Sequence, residues 1–171
     1  MYTARHDLLI DLAPQWPAGL IHRGPPRRAL DNLTLASARI LVVDDFAPWR
    51  DSVRSMLKRH AELRIVGEVA DGLEAVQKAR ELHPDLILLD IGLPTLNGIE
   101  AAKQIRQVVP GAKILFLALN GDPDMMQAAL DTGAKGYVLK ADAGRELWPA
   151  IEAVLHGKQY VSNELVRHGF C

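Results

Sequence analysis

Acidic side chains follow two of the apolar runs in this chain. Asp90 ends the run Asp85-Leu-Ile-Leu-Leu-Asp90, and Asp44 and Asp45 directly follow Ile40-Leu-Val-Val43. Short runs of this kind, rich in Val, Ile and Leu, are typical of strands that are buried on both faces. Because ligands in open α/β sheets bind at the carboxyl ends of the strands, we expect the three carboxylates to lie together at that edge.

A lysine ends a third apolar run: Lys140 follows Gly136-Tyr-Val-Leu139. Carboxylates that converge in a partly desolvated crevice repel one another, so they either take up protons or bind a cation. Oxygen ligands without a neighbouring His or Cys favour Mg²⁺ or Mn²⁺ over zinc. Asp90 can then act as a nucleophile toward a phosphoryl group, while the cation and Lys140 offset the charge of that group. The pattern therefore predicts a site for a divalent cation and a phosphoryl group.

The sequence that positions these side chains alternates between short apolar runs and segments with apolar residues at helical spacing. Short apolar runs predict strands at 40–43, 63–69, 86–89, 114–119 and 136–139, and apolar residues at helical spacing separate and follow them. Asp122 before Pro123 marks a helix start, and Gly133 marks a helix end. Five strands alternating with five helices predict an α/β fold, a doubly wound parallel sheet with helices on both faces.

The chain divides into three predicted parts. Residues 1–36 carry Pro14, Pro17, Pro25 and Pro26 and no sustained period, so we interpret them as a flexible N-terminal extension. Residues 37–157 hold the predicted domain. Residues 158–171 are predicted to be a short polar C-terminal tail, with one helical turn near Asn163–Arg167.

Composition excludes several classes of protein. Lys+Arg 20 against Asp+Glu 21 gives a net charge of -1, so no basic surplus indicates nucleic-acid binding. The single cysteine, Cys171, precludes an intrachain disulfide, which fits a reducing cytosol. No apolar stretch approaches the ~20 residues that span a bilayer. We therefore expect a soluble, cytoplasmic protein without membrane contact.

Three groups of residues at the predicted strand ends resemble the receiver domain (CheY-like domain) of two-component response regulators. They are Ile40-Leu-Val-Val-Asp44-Asp45, Asp90-Ile-Gly-Leu-Pro94 with Asn97-Gly98, and Gly136-Tyr-Val-Leu-Lys140. The similarity covers residues 38–157, and Leu147 through Tyr160-Val-Ser resembles the NarL/FixJ class in particular. The resemblance implies a flavodoxin-like sheet of five parallel strands in the order 2-1-3-4-5.

The resemblance also implies a role for each residue of the site. Asp90 is the expected phosphoacceptor. Asp45 is expected to bind Mg²⁺ directly and Asp44 largely through water, and the backbone carbonyl of Gly92 is expected to supply a further ligand. Lys140 is expected to pair with the phosphoryl oxygens.

Two positions concern the conformational switch of such receivers. Tyr137 matches the aromatic residue whose inward or outward rotamer reports phosphorylation. Ala118 stands where receivers usually carry Thr or Ser, whose hydroxyl bonds a phosphoryl oxygen. Losing one such hydrogen bond to a charged acceptor costs on the order of 1.5–3 kcal/mol. Thr95 lies in the neighbouring loop, and the sequence alone does not tell whether it substitutes.

The resemblance implies signalling rather than enzymatic turnover. The first hypothesis is a stand-alone receiver that takes a phosphoryl group onto Asp90, with Mg²⁺, from the phosphohistidine of a sensor kinase or a phosphotransfer protein. Its output would reach a downstream protein through the face of helix four, strand five and helix five, and a homodimer is compatible with this.

Two alternatives remain open at this point. Ala118 permits a receiver-fold scaffold that is insensitive to phosphorylation. The chain can also be the receiver part of a DNA-binding regulator. Because it ends before a helix-turn-helix domain could fit, we expect no direct nucleic-acid contact from this chain.

Overall fold

Six parallel strands form the central sheet in a computed structural model of the chain, which describes residues 38–167. The strands are β1 (Ala38–Val43), β2 (Leu63–Val69), β3 (Leu86–Asp90), β4 (Lys113–Ala118), β5 (Gly136–Leu139) and β6 (Tyr160–Val161). The helices are α1 (Ala47–Leu57), α2 (Gly72–Leu82), α3 (Gly98–Val108), α4 (Pro123–Asp131), α5 (Ala143–Leu155) and α6 (Asn163–Arg167). A short 3₁₀ turn, Lys140–Asp142, joins β5 to α5.

The sheet order is β2-β1-β3-β4-β5-β6. This confirms the predicted doubly wound parallel sheet and its order 2-1-3-4-5. The predicted number of five strands needs a correction, because β6 adds a sixth strand beside β5, with Gly136 opposite Tyr160 and Tyr137 opposite Val161. A strand of two residues is too short to produce a periodic signal in the sequence. The predicted extension, residues 1–36, lies outside the described residues.

Helices cover both faces of the sheet because alternate strand residues point to opposite sides. On one face, Ile40 and Val42 of β1 pack in a cluster with residues of α1 and α5, such as Val53 and Ile151. On the other face, Leu41 and Val43 pack in a cluster with residues of α2, α3 and α4. Strand β3 is buried along its whole length, as expected for the central strand of a sheet covered on both sides.

Polar side chains start three of the helices. Asp71, Asn97 and Asp122 precede α2, α3 and α4 and accept hydrogen bonds from backbone N–H groups of the first turn, which satisfies donors without partners inside the helix. The predicted helix start at Asp122 is thus confirmed. Gly133, with φ 86, follows the end of α4 as predicted.

Helix α1 begins differently. Its N-cap residue is Phe46, so neither Asp44 nor Asp45 occupies that position. Both carboxylates precede the helix, at the carboxyl end of β1. Among residues 38–167, no helix is long and apolar enough to cross a membrane.

Candidate functional site

Three carboxylates meet at the carboxyl edge of the sheet. Asp44, Asp45 and Asp90 each offer an oxygen, and these oxygens lie within 4.8 Å of one another. Asp44 is 1% exposed and Asp90 is 5% exposed, whereas Asp45 is exposed to solvent. The site therefore has a buried floor formed by two carboxylates and an open side formed by the third.

The register of the central strands brings these residues together. β1 and β3 are neighbours, and Val43 lies opposite Leu89 in the ladder. Asp44 and Asp90 follow these two residues, so they leave the sheet at the same level. The alternation of apolar strands with helical segments predicted this convergence, since parallel neighbours end at one edge.

The loop after β3 folds tightly onto the strand. The N–H of Gly98 donates to the carbonyl oxygen of Ile91 over 2.9 Å. A Cβ atom at Gly98 would lie 2.0 Å from the carbonyl oxygen of Asp90, which no side chain can accommodate. Glycine is needed here for the close approach of α3 to the end of β3, and this approach fixes the path of the loop that contains Gly92.

Lys140 connects the two buried carboxylates. Its Nζ lies 2.6 Å from Oδ2 of Asp44 and 3.0 Å from Oδ1 of Asp90. The lysine side chain is only 9% exposed, and its ammonium lies 5.5 Å from the centroid of the Trp49 ring. A cation in this position offsets part of the repulsion between the carboxylates and can contact a group bound to Asp90.

The electrostatic state of Asp90 follows from its burial. Desolvation raises the pKa of the Asp90 carboxyl above its ordinary value of 3.8, the ammonium of Lys140 opposes this effect, and the charge of Asp44 adds to it. Burial disfavours the charged form of an acid, and a neighbouring negative charge does the same. The site therefore holds an excess of negative charge that a bound cation would relieve.

The chemistry of these residues fits Mg²⁺. Oδ1 of Asp44 accepts a hydrogen bond from the N–H of Phe46. Among residues 38–167, its buried Oδ2 is ion-paired with the ammonium of Lys140 and accepts no further hydrogen bond. The set consists of oxygen ligands alone, and a carboxylate faces solvent. Mg²⁺ prefers one or two carboxylates together with waters and phosphate oxygens. Gly92 lies beside the site, because a Cβ atom at this residue would be 3.5 Å from Oδ2 of Asp90.

The two residues of the predicted switch lie in one apolar cluster. Ala118 ends β4 and is 4% exposed, and Tyr137 is fully buried at 0%. The Tyr137 hydroxyl donates to the carbonyl oxygen of Asn120 over 3.1 Å. Burial, with smaller contributions from the charges of Asp122 and Asp90, raises the pKa of Tyr137 to about 12. The Tyr137 side chain thus lies inside the apolar cluster that also contains Ala118, which carries no hydroxyl.

Thr95, in the loop after β3, acts on Asp71 at the start of α2. The Thr95 side chain, close to the Asp71 carboxylate, is the main cause that lowers the pKa of Asp71. Its φ of 59 lies in the left-handed region, which is costly for a β-branched residue. Thr95 therefore joins the loop after β3 to α2.

The structure adds three residues that sequence reasoning did not assign to the site. Trp49 packs near the ammonium of Lys140, and Arg50 donates from Nη1 to the carbonyl oxygen of Asp44 over 2.6 Å. The hydroxyl of Ser162 accepts from the N–H of Leu139, the residue before Lys140. Trp49 lies in α1 among apolar residues at helical spacing, a pattern that indicates packing and not a role in the site. Ser162 lies 23 residues from Leu139, and no local pattern reports a contact of that separation.

Comparison with known proteins identifies the family. Residues 40–152 match the response regulator receiver domain. The transcriptional regulatory protein DegU of Brevibacillus brevis is 34% identical over 123 residues, which cover 72% of this chain and 52% of DegU. The chain thus spans about half the length of this relative.

Solved structures agree with this match. A LuxR-family two-component response regulator from Aurantimonas sp. is 36% identical with a TM-score of 0.74, over 77% of this chain and 94% of that chain. The response regulator domain of CheB from Thermotoga maritima is 32% identical with a TM-score of 0.65, over 69% of this chain and 96% of that chain. The predicted resemblance is confirmed: the chain belongs to the response regulator receiver domain family of two-component systems.

Proposed function

We propose that this receiver accepts a phosphoryl group on Asp90 from a phosphohistidine of a sensor kinase or a phosphotransfer protein. The observation that carries the proposal is the 3.0 Å contact between Nζ of Lys140 and Oδ1 of Asp90, beside two further carboxylates at the same sheet edge. A nucleophilic carboxylate, a cation beside it and ligands for a metal are the components that phosphoryl transfer needs.

The transfer forms one bond and breaks one. A carboxylate oxygen of Asp90 attacks the phosphorus atom, the bond from phosphorus to the histidine nitrogen breaks, and its electron pair remains on the imidazole. Asp90 must be ionised to attack, and the ammonium of Lys140 favours that form. Lys140 then lies close enough to pair with the oxygens of the transferred group.

We assign Mg²⁺ to the carboxylates and the neighbouring loop. Asp45 would bind it directly, Asp44 largely through water, and Asp90 and the backbone carbonyl of Gly92 would complete the protein ligands. The bound cation would supply positive charge against the oxygens of the phosphoryl group. Asp45 suits direct ligation because it is exposed, whereas Asp44 is already paired with Lys140.

The output is proposed to be a change in binding to a downstream protein. Phosphorylation adds about -1.5 to -2 charge units at the strand ends, and the loops that follow these strands respond. The face formed by α4, β5 and α5 is the proposed binding surface, and a homodimer is compatible with it. Because the donor is proposed to be the cytosolic domain of a kinase, the protein that receives the phosphoryl group is expected in the cytoplasm.

A phosphorylation-insensitive scaffold is the second candidate, and two observations favour it. Tyr137 is fully buried without a phosphoryl group, and Ala118 offers no hydroxyl to draw the loop after β4 toward Asp90. In this case Asp90 still takes up the phosphoryl group, but the α4–β5–α5 face does not respond.

The names of the relatives suggest a third candidate. DegU is a transcriptional regulatory protein, and this chain spans about half its length. The chain could therefore serve as the receiver part of a DNA-binding regulator. This candidate and a stand-alone receiver both predict no DNA binding by this chain in a mobility-shift assay, with or without phosphorylation, so binding would contradict both.

One experiment tests the first two candidates together. The full chain is incubated with acetyl phosphate and Mg²⁺, and its intact mass and amide NMR spectrum are recorded on the same sample. One added phosphoryl group, with shifts that spread from Asp90 to Tyr137 and α4, supports a working switch. Shifts confined to the site support the scaffold. No added mass refutes the proposed function.

A further inference from the structure

The segment after α5 returns to the sheet and packs against the strand that precedes Lys140. Its N–H groups continue the parallel ladder: Tyr160 donates to the carbonyl oxygen of Lys135 and Ser162 donates to that of Tyr137, each over 2.9 Å. Ser162 is fully buried. The segment therefore forms part of the sheet up to Ser162 and then turns into α6.

Two oxygens of Ser162, its hydroxyl and its backbone carbonyl, accept hydrogen bonds from two different segments of the chain. In a regular parallel ladder, its backbone carbonyl would accept the next hydrogen bond, from the N–H of Leu139. Instead, the hydroxyl of Ser162 accepts that bond over 3.0 Å. The carbonyl oxygen of Ser162 accepts from the N–H groups of Leu165 and Val166, over 3.0 and 3.3 Å, and so begins α6. One side chain thus joins the end of β5 to the start of α6.

Helix α6 also contacts the loop after β4. Leu165 is 3% exposed, and a Cβ atom at Gly121 would lie 2.4 Å from its Cδ2, so a side chain at residue 121 would displace the end of the leucine side chain. Gly121 follows Asn120, whose carbonyl oxygen accepts the Tyr137 hydroxyl. On the α5 side, Nδ2 of Asn163 donates to the carboxylate of Glu146 over 2.9 Å. The short helix is held at three points.

We infer that Ser162 is a positioning residue that couples Lys140 to α6, so that phosphoryl transfer to Asp90 loosens the docking of α6. This inference rests on the proposed function, and it makes Lys140 the residue through which phosphorylation reaches α6. Ala118 cannot bond a phosphoryl oxygen, so Lys140 is the group that follows the new charge from its present contacts with Asp44 and Asp90. Movement of Lys140 displaces Leu139, its chain neighbour, and lengthens the hydrogen bond to the Ser162 hydroxyl.

Hydrogen exchange of the full chain tests this coupling. The amides of Leu165 and Val166 are the reporters, because both donate to Ser162. With acetyl phosphate and Mg²⁺ present, and with the added mass measured on the same sample, we expect these two amides to exchange about tenfold faster than without the phosphoryl donor. The Asp90→Asn variant under the same conditions should show no change.

Three variants locate the coupling. Ser162→Ala should still gain the mass of one phosphoryl group, but its Leu165 and Val166 amides should exchange fast in both states. Ser162→Thr keeps the hydroxyl and should restore the response. Ser55→Ala removes an exposed hydroxyl from α1, where it bonds the carbonyl oxygen of Asp51, and should behave like the unaltered chain.

The outcomes separate this inference from the function on which it rests. Phosphorylated protein with unchanged exchange at Leu165 and Val166 overturns the coupling and leaves the proposed function intact. A full response in Ser162→Ala overturns the role of Ser162. Absence of any added mass overturns the proposed function, and the coupling with it. The response of the unaltered chain decides the matter even if Ser162→Ala does not fold.

Discussion

Buried polar groups at two edges of the same sheet differ in how completely they are paired. At the carboxyl edge, Asp44 and Asp90 are buried charges with one lysine between them. Within the described part of the chain, Oδ2 of Asp44 is ion-paired with that lysine and accepts no further hydrogen bond. At the lateral edge, the N–H, carbonyl and hydroxyl of buried Ser162 all have hydrogen-bond partners. The first arrangement leaves an excess of negative charge that a bound cation would neutralise, whereas the second joins two segments of the chain. In this chain the incompletely neutralised carboxylates form the candidate site, whereas the fully hydrogen-bonded serine supports the strand that leads to it.

The largest effect should follow from removing the nucleophile at the carboxyl edge. Asp90→Asn should abolish uptake of a phosphoryl group from acetyl phosphate, because a neutral amide cannot attack phosphorus. Intact mass and peptide mapping measure this directly. Asp51→Asn, which alters an exposed carboxylate on α1, is the matched control. Unchanged uptake at another residue in Asp90→Asn would refute the assignment of the acceptor.

Removing the open carboxylate should weaken Mg²⁺ binding most. We expect Asp45→Ala to lower the affinity for Mg²⁺ about tenfold or more, the equivalent of one lost charged contact. Asp45 is exposed, so the change leaves the ion pairs of Lys140 with Asp44 and Asp90 in place. Calorimetric titration of the variant and the unaltered chain gives the ratio, and equal affinities would remove Asp45 from the ligands.

At the lateral edge, a substitution is expected to lower the free energy of unfolding. Ser162→Ala leaves the buried N–H of Leu139 without an acceptor, and it should lower the free energy of unfolding by about 1–3 kcal/mol. Ser55→Ala, on the surface, should change it by less than about 0.5 kcal/mol. Urea unfolding of both variants makes the comparison. A loss in Ser162→Ala no greater than that in Ser55→Ala would mean that water replaces the hydroxyl.

Stability should depend on pH through Asp90. Burial raises its pKa in the folded state above the ordinary value of 3.8, so the folded protein binds this proton more tightly than the unfolded chain does. The contribution of Asp90 to stability therefore falls as pH rises from that ordinary value through the raised one, and stays low above it. Asp90→Asn removes this loss. Without Mg²⁺, we expect the melting temperature of Asp90→Asn to exceed that of the unaltered chain more at pH 7 than at pH ~4.

The smallest effect should be a spectral one at the switch. Ala118→Thr restores a hydroxyl at the end of β4, within the apolar cluster that contains Tyr137. We expect a larger phosphorylation-dependent shift of the Tyr137 and α4 amides than in the unaltered chain, because the hydroxyl can bond a phosphoryl oxygen. Identical difference spectra for the two proteins would show that residue 118 does not limit the response.

The positions of the site residues could be predicted because they depend on local pattern. Asp44, Asp45, Asp90 and Lys140 each follow a short apolar run, and parallel strands of a doubly wound sheet end at one edge. Asp122 and Gly133 marked the start and end of α4 through their own backbone preferences. In each case the relevant signal lies within a few residues of the feature that it predicts.

Tertiary structure alone decided the rest, because those features depend on residues far apart in the chain. The hydrogen bond between the Ser162 hydroxyl and the N–H of Leu139 joins residues 23 positions apart. Strand β6 is too short to show a periodic pattern of apolar residues. Packing also decides three further features: the ion pair of Lys140 with Asp44, the burial of Tyr137, and the contact of Leu165 with Gly121. The sequence determined which charges reach the edge of the sheet. The folded chain decided which of them are paired, because burial and distance set the energy of a charge.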